Sequence, residues 1–356
     1  MNKEELMVLR RGDAKENYLY ALNHKNANQK LHADVVIKSG NAKYNYLFAK
    51  HIKNADVWAH GNAVIKSKDF FYNYAFAKDI PNANVWAHGK VIIKNGNLLD
   101  NYNFAHNVPG ADVLAHGKVI IQGDNVVLNY FFAKDIPGAN VKEHGLAIIK
   151  SKNPTFNYFF AKDIPGADVK EHGKVILACQ QLYINYEFAK DVPGADVLAH
   201  GYLILKSGHI LLNYKFARDV PNADVLAHGK VVLDSRDKWC NLKFARDVAG
   251  ADILAHGKVV LNSKDEWCNY EFARDVKHAD VLAHGEIVIK SGNIFCNIDF
   301  ANNVIGADIK KHNMVILGNG HLYKKVHFSK AFLGIKEKMQ KIINMAEKKF
   351  ISKKER

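Results

Sequence analysis

The sequence predicts an all-α fold: an α-solenoid of about twelve 28-residue helix-turn-helix repeats with a C-terminal capping helix. Three observations carry that prediction. The Asn that opens a "NYxFA"-like motif recurs at Asn17, Asn45, Asn73, Asn101, Asn129, Asn157, Asn185, Asn213, Asn241, Asn269 and Asn297, and every interval is 28. Within a copy the polar positions return at i+4 rather than i+2, and Ala, Lys and Glu favour helix over the strands a β-solenoid would need. Helix breakers recur in register: "SGN" or "SRD" between the apolar stretches, and "PGAD" or "PNAD" after them.

Taken along the chain, residues 1–16 read as a half copy that caps the array, since "MVLRRGDAKE" aligns with "VVLDSRDKWC". Residues 17–324 hold eleven full copies without an insertion, in one continuous domain. In each, a first helix such as Asp224–Ser235 begins on an Asp N-cap. It places Val225, His228, Gly229, Val232 and Leu233 on one face, while Lys230 and Asp234 point away. A second helix buries Phe, Ala and Val at i, i+1 and i+4, and the proline of the closing turn removes a donor and resists further helix. Two helices of about ten residues cannot bury their apolar faces alone, so identical neighbours must stack. A decayed copy starts at Lys325, where Phe328 keeps the register. A basic amphipathic helix follows, with Ile335, Met339, Ile342, Ile343 and Ala346 on one side, as expected of a terminal cap.

The copies, near FAKDVPGADVLAHGKVVLKSGN in consensus, resemble the 28-residue helical repeats of bacterial and phage proteins, whose consensus lies near YFARDVKGANIKALEKAVIESGD. The resemblance covers almost the whole chain. It implies the fold and carries over no functional residue, because those proteins mostly lack an assigned activity. In them Leu stands where this chain has His.

Composition bounds the function. The net charge is +14, but residues 324–356 alone carry eleven Lys/Arg against three Glu, leaving 14 − 8 = +6 for the rest. No stretch approaches ~18 consecutive apolar residues and no N-terminal apolar run suits a signal sequence, so a cytoplasmic protein without a membrane span is expected. Cys240, Cys268 and Cys296 share one repeat column and read as small buried hydrophobes rather than disulfide partners; Cys179 is the fourth cysteine.

Four columns are candidates for a role. His32, His60, His88, His116, His144, His172, His200, His228, His256, His284 and His312 occupy one position. Zinc would need two ligands within ~4 Å of each other, which histidines one repeat apart do not supply. A structural ladder with the Asn column fits better: half-buried rings donate to a backbone carbonyl or to the Asn, and the Gly after each His lets the next helix approach. Buried neutral imidazoles would also make the array acid-labile.

The second column pair is a lysine stripe on the outward side of the first helices: Lys38, Lys66, Lys90, Lys94, Lys118, Lys150, Lys174, Lys206, Lys230, Lys258 and Lys290, opposed by Asp34, Asp234 and Glu286. It is a solvated face or a set of phosphate and acidic-partner contacts. By contrast Lys190, Arg218, Arg246 and Arg274 sit beside Asp191, Asp219, Asp247 and Asp275 and are expected to pair with them. The third is the residue two before each His: Trp58, Trp86, Leu114, Leu198, Leu226, Leu254 and Leu282, expected at the rim of the core and a candidate partner-binding groove at its Trp end. The fourth is the variable inter-helix loop, "GNLLD", "KNPTF", "QQLYI", "RDKWC" or "KDEWC". There an Asn or Asp caps the second helix, and the apolar residues after it are expected in the core.

Catalysis finds little support: there is no Gly-rich phosphate loop and no GxSxG, and every polar candidate recurs copy after copy. No residue is read as breaking the pattern as an active site would. The sequence therefore predicts a monomeric, non-enzymatic scaffold without cofactor or metal that binds a protein partner. A nucleic-acid-binding solenoid using the lysine stripe and tail is the alternative.

Overall fold

The computed structural model describes residues 1–318, and these form 23 α-helices with no strand among the described residues. The expected capping helix and decayed copy in residues 325–356 lie outside the described residues. Contacts divide the described residues into two compact units, Met1–Ser207 with Asp219–Ala223, and Gly208–Arg218 with the residues from Asp224 to Gly318.

In the first unit the first helices of the copies are α3 (Gln29–Lys38), α5 (Val57–Ser67), α7 (Val85–Asn95), α9 (Val113–Gln122), α11 (Val141–Ser151), α13 (Val169–Cys179) and α15 (Val197–Ser207). The second helices are α2 (Ala14–Asn23), α4 (Ala42–His51), α6 (Phe70–Asp79), α8 (Leu98–Asn107), α10 (Val126–Asp135), α12 (Pro154–Asp163) and α14 (Leu182–Asp191), and α1 (Lys3–Arg11) stands ahead of them. The second unit has first helices α17 (Val225–Asp234), α19 (Ile253–Ser263), α21 (Val281–Ser291) and α23 (Ile309–Gly318). Its second helices are α16 (Ile210–Asp219), α18 (Lys238–Asp247), α20 (Glu266–Asp275) and α22 (Ile294–Asn303). This is the α-solenoid of hairpins that the 28-residue period predicts.

Local chemistry sets each boundary. First helices start on Asp or Asn caps, as where Asp56 accepts from the Ala59 N–H at 2.9 Å. Second helices start on the loop's Asn or Asp, such as Asn97, Asn153 and Asp237, whereas Gln181 makes no side-chain cap bond. The residue after the turn proline is held at positive φ, near 80° at Gly110, Gly138 and Gly166 and 62° at Asn82, which is why the turn reads "PG" or "PN".

One small core repeats. In the copy around Phe160 it gathers Tyr130, Ala133, Ile148 and Ile164, so residues from one second helix pack on the next hairpin. The Phe of each second helix is fully buried in every described copy from Phe48 to Phe300.

Candidate functional site

The histidine column lies deeper than half-buried: all eleven rings from His32 to His312 are 0–1% exposed. Each is bonded to the Asn fifteen residues before it, on the preceding second helix. His60 Nδ1 meets Asn45 Oδ1 at 2.8 Å, and the same bond recurs at 2.6–2.8 Å for His32, His88, His116, His144, His172, His200, His228, His256, His284 and His312. The amide nitrogen of Asn45 donates to Val36 O at 3.0 Å and to Asn41 O at 2.9 Å. Since both amide protons go to carbonyls, the oxygen must accept, and the imidazole proton sits on Nδ1. Asn73, Asn101, Asn129, Asn157, Asn185, Asn241 and Asn269 repeat the arrangement, and Asn213 accepts from His228 in the same way. One asparagine thereby joins the first helix behind it, its own helix start and the next hairpin.

The far nitrogen has no such partner. Nε2 of His60, His88, His116, His144, His172 and His200 is buried without a hydrogen bond. Each ring packs against the Phe twelve residues earlier, stacked as Phe132 on His144 with centroids 4.8 Å apart or, for Phe188 and His200, tilted at 5.0 Å. It also reaches the Gly of the preceding copy: a Cβ on Gly117 would stand 3.0 Å from Phe132 Cε1 and 3.1 Å from His144 Nε2. Burial pushes the imidazoles of His60, His88, His116, His144, His172, His200, His228, His256 and His284 down to about 4. At the N-terminal end Glu5, itself buried, accepts from the Asn28 N–H at 2.7 Å and lies 3.4 Å from His32 Nε2. Among the described residues there is no group of three or more His, Cys, Asp or Glu that could hold a metal ion. No described helix is long and apolar enough to cross a membrane. Cys268 and Cys296 are buried, with thiols pushed up to about 12 by desolvation, while Cys240 and Cys179 are half-buried; none is in a disulfide.

The Trp/Leu column departs from the rim expectation. Trp58, Trp86, Leu114, Leu198, Leu226, Leu254 and Leu282 are 57–73% exposed. The reason is angular: at 3.6 residues per turn, the position two before a buried His falls on the opposite side of the helix. From that position i+4 and i+8 are the two lysine columns, so apolar and basic residues form one outward stripe. Lys66, Lys90, Lys94, Lys118, Lys150, Lys174, Lys206, Lys230, Lys258 and Lys290 are all exposed. Lys90 Nζ rests 3.3 Å from the centroid of the Trp86 ring, and a groove of about 530 Å³ beside it is lined by Ile65, Phe70, Val91 and Lys94. Sequence reasoning missed Lys142 and Lys170, which replace Trp or Leu in this column and are exposed.

A second cationic column behaves differently. Lys50, Lys134 and Lys162 lie 2.8–2.9 Å from Asp79, Asp163 and Asp191 of the next copy, and the Tyr46 hydroxyl also donates to Asp79 at 2.5 Å. Lys50 and Tyr46 together hold the Asp79 carboxyl below its ordinary value. The expected pairing is present farther on, at 2.7 Å for Arg246 with Asp247 and 2.6 Å for Arg274 with Asp275. Of the stripe lysines named, by contrast, Lys174 alone is in an ion pair among the described residues, with Glu171, while the stripe's Glu286 pairs with Lys311.

The inter-helix loop expectation needs correction too. The residue two before each ladder Asn is not core: Leu99, Tyr183 and Phe295 are 57–61% exposed, and Trp239 and Trp267 are partly so. The same half-turn offset from a buried residue explains it. No family model, no curated protein and no solved structure matches the chain.

Proposed function

We propose that the chain is a non-enzymatic repeat scaffold that binds an acidic, amphipathic protein partner along the outward stripe of its first helices. The observation that carries this reading is the exposure of Trp58, Trp86 and the leucine column in line with lysines that, Lys174 apart, are left without carboxylate partners. Exposed aromatic and leucine side chains supply anchors, and flanking cations supply charge complementarity and orientation. In the second-helix column, by contrast, Lys50, Lys134 and Lys162 are each paired with the next copy's aspartate. On this reading the chain acts as a monomer in the cytoplasm and needs no cofactor.

The test is fluorescence anisotropy with a labelled acidic helical peptide carrying Leu at i, i+4 and i+8 and Glu between them. Wild-type chain should bind it, and the Trp58→Ala, Trp86→Ala double variant should bind at least about tenfold more weakly. Equal binding by wild type and variant would sink the proposal.

Nucleic acid is the second reading, favoured by the lysine density of the stripe. Its signature is an affinity for double-stranded oligonucleotides that falls about 10³-fold or more between about 50 and 200 mM salt. Flat, weak binding at both salts would remove it.

A further inference from the structure

The repeat supplies an internal standard, and α8 departs from it at both of two recurring positions. In the copies of the first unit on either side of it, from α4 to α14, the residue before the ladder Asn packs into the core: Tyr44, Tyr72, Leu128, Phe156 and Ile184 each lie against a buried cluster, whereas Glu16 in the terminal half copy pairs with Arg11. On α8 that residue is Asp100, and the cluster around Phe104 contains no such member. The same helix ends His106–Asn107, where its neighbours end Lys78–Asp79 and Lys134–Asp135. The Tyr74 hydroxyl therefore lacks the carboxylate that Tyr46 and Tyr102 find 33 residues on, at 2.5 and 3.0 Å. Among the described residues the hydroxyl's one side-chain hydrogen bond is from Lys78 Nζ at 3.4 Å, and the same Nζ lies 5.5 Å from the ring centroid. These departures coincide with a groove of about 760 Å³ between α6 and α8, lined by Phe71, Tyr74, Asp100, Asn103 and Asn107, with the charges of Lys68 and Asp69 at the start of α6 also on its wall.

We infer that this groove binds an extended peptide segment carrying a Lys or Arg side chain. Asp100, Asn103 and Asn107 fall within about 60° of one another on α8, forming a single polar row. Asn103 and Asn107, four residues apart, are about 6 Å apart along the helix. An extended chain repeats its outward backbone groups every second residue, about 6.6 Å. Each amide can donate to one peptide carbonyl and accept from one peptide N–H, Asn107 through the lone pair left beside its 3.1 Å contact with His106 Nδ1, so the pair matches alternate residues of such a chain. Opposite them Phe71, 68% exposed, and Tyr74 offer ring faces for the intervening side chain. Asp100 lies one turn before Asn103, and its carboxylate enters no ion pair among the described residues. A cation on the peptide would pair with it and rest on the rings. The site lies on the second helices and does not depend on the outward stripe.

The experiment probes the full chain against an array of blocked pentapeptides in which each position is fixed in turn as each of the twenty residues, followed by titration of the best binder. Selection of Arg or Lys at one position is expected. Asp100→Leu restores the residue type of the neighbouring copies and should lower affinity at least about tenfold without lowering the melting temperature. Asp100→Asn should remove the preference for the basic residue. Binding by Asp100→Leu equal to wild type, or no basic preference, would overturn the inference. A glycan array bound in an Asp100-dependent manner while peptides are ignored would make this a sugar site and overturn it as well. The Lys90→Glu, Lys94→Glu, Lys118→Glu variant should keep the pentapeptide. Its loss there would move the binding to the stripe.

Discussion

The outward stripes of the two units differ although their interiors match. On the seven first helices of the first unit the stripe, with Lys30, Lys142 and Lys170 of the Trp/Leu column included, carries eleven lysines, Asp34 as its one acid, and the aromatic residues Trp58, Trp86 and Tyr202. On the four of the second unit it carries four lysines (Lys230, Lys258, Lys290 and Lys310), two acids (Asp234 and Glu286) and no aromatic residue. The second unit has its tryptophans instead on the second helices, at Trp239 and Trp267. The His–Asn bond and the buried Phe are the same in both. Interior positions are held by geometry that every copy must satisfy, whereas the stripe tolerates drift, so a difference there is where a partner would be distinguished.

The largest expected effect falls on what the units share. Nine of the buried imidazoles have values of about 4, against about 6.5 when unfolded. Below pH ~6.5 the unfolded chain takes up protons that the folded one refuses, so this contribution is complete above that pH and is lost between ~6.5 and ~4. Each site then costs about 1.4 kcal/mol per pH unit. Carboxylates pull back little: the N-cap Asp56 faces His60 weakly, and Glu5 faces only His32. Circular dichroism melts should show a midpoint lower by on the order of 10 °C or more at pH 5.5 than at pH 7.5. An unchanged midpoint would show that the rings titrate normally.

Next in size, Asn129→Ala in the first unit and Asn241→Ala in the second should each cost about 3 kcal/mol in urea unfolding. Either strands an imidazole N–H and a carbonyl. Unequal losses would mean the ladders are not equivalent. Gly117→Ala should cost about 1–3 kcal/mol, because its Cβ meets Phe132 and His144. The smallest effect sharpens the contrast itself. Reversing Lys90, Lys94 and Lys118 to Glu should weaken the acidic helical peptide about tenfold, and reversing Lys230, Lys258 and Lys290 only about twofold. Equal effects would remove the distinction between the units.

The fold was legible because a 28-residue period repeated eleven times leaves one register open, and the caps and breakers sit in that same register. The ladder was legible in its partners but not in its depth: nothing in "AHG" alone says whether the ring is half or wholly covered. Reading Leu226 and Leu99 as rim or core was an error of angle. Both stand two residues before a buried polar side chain, and reading the His as only half-buried widened the apolar arc past the half-turn that points their neighbours outward. Asp100 was in plain view in its column, but one carboxylate carries weight only when the packing reveals which neighbours it fails to join.

The Asn bond also bears on how such a chain changes length. Every bond of the ladder closes between one hairpin and the next, and all eleven imidazoles donate in the same chain direction. A duplication or loss of one whole repeat therefore reproduces the same set of bonds at the join. A change of any other size leaves an amide or an imidazole facing the wrong element. At the start of the array Glu5 acts as a stop for the first ring, so growth there would require a new stop. The array can thus be lengthened or shortened only in whole steps, and its stock of ladder bonds is counted in copies.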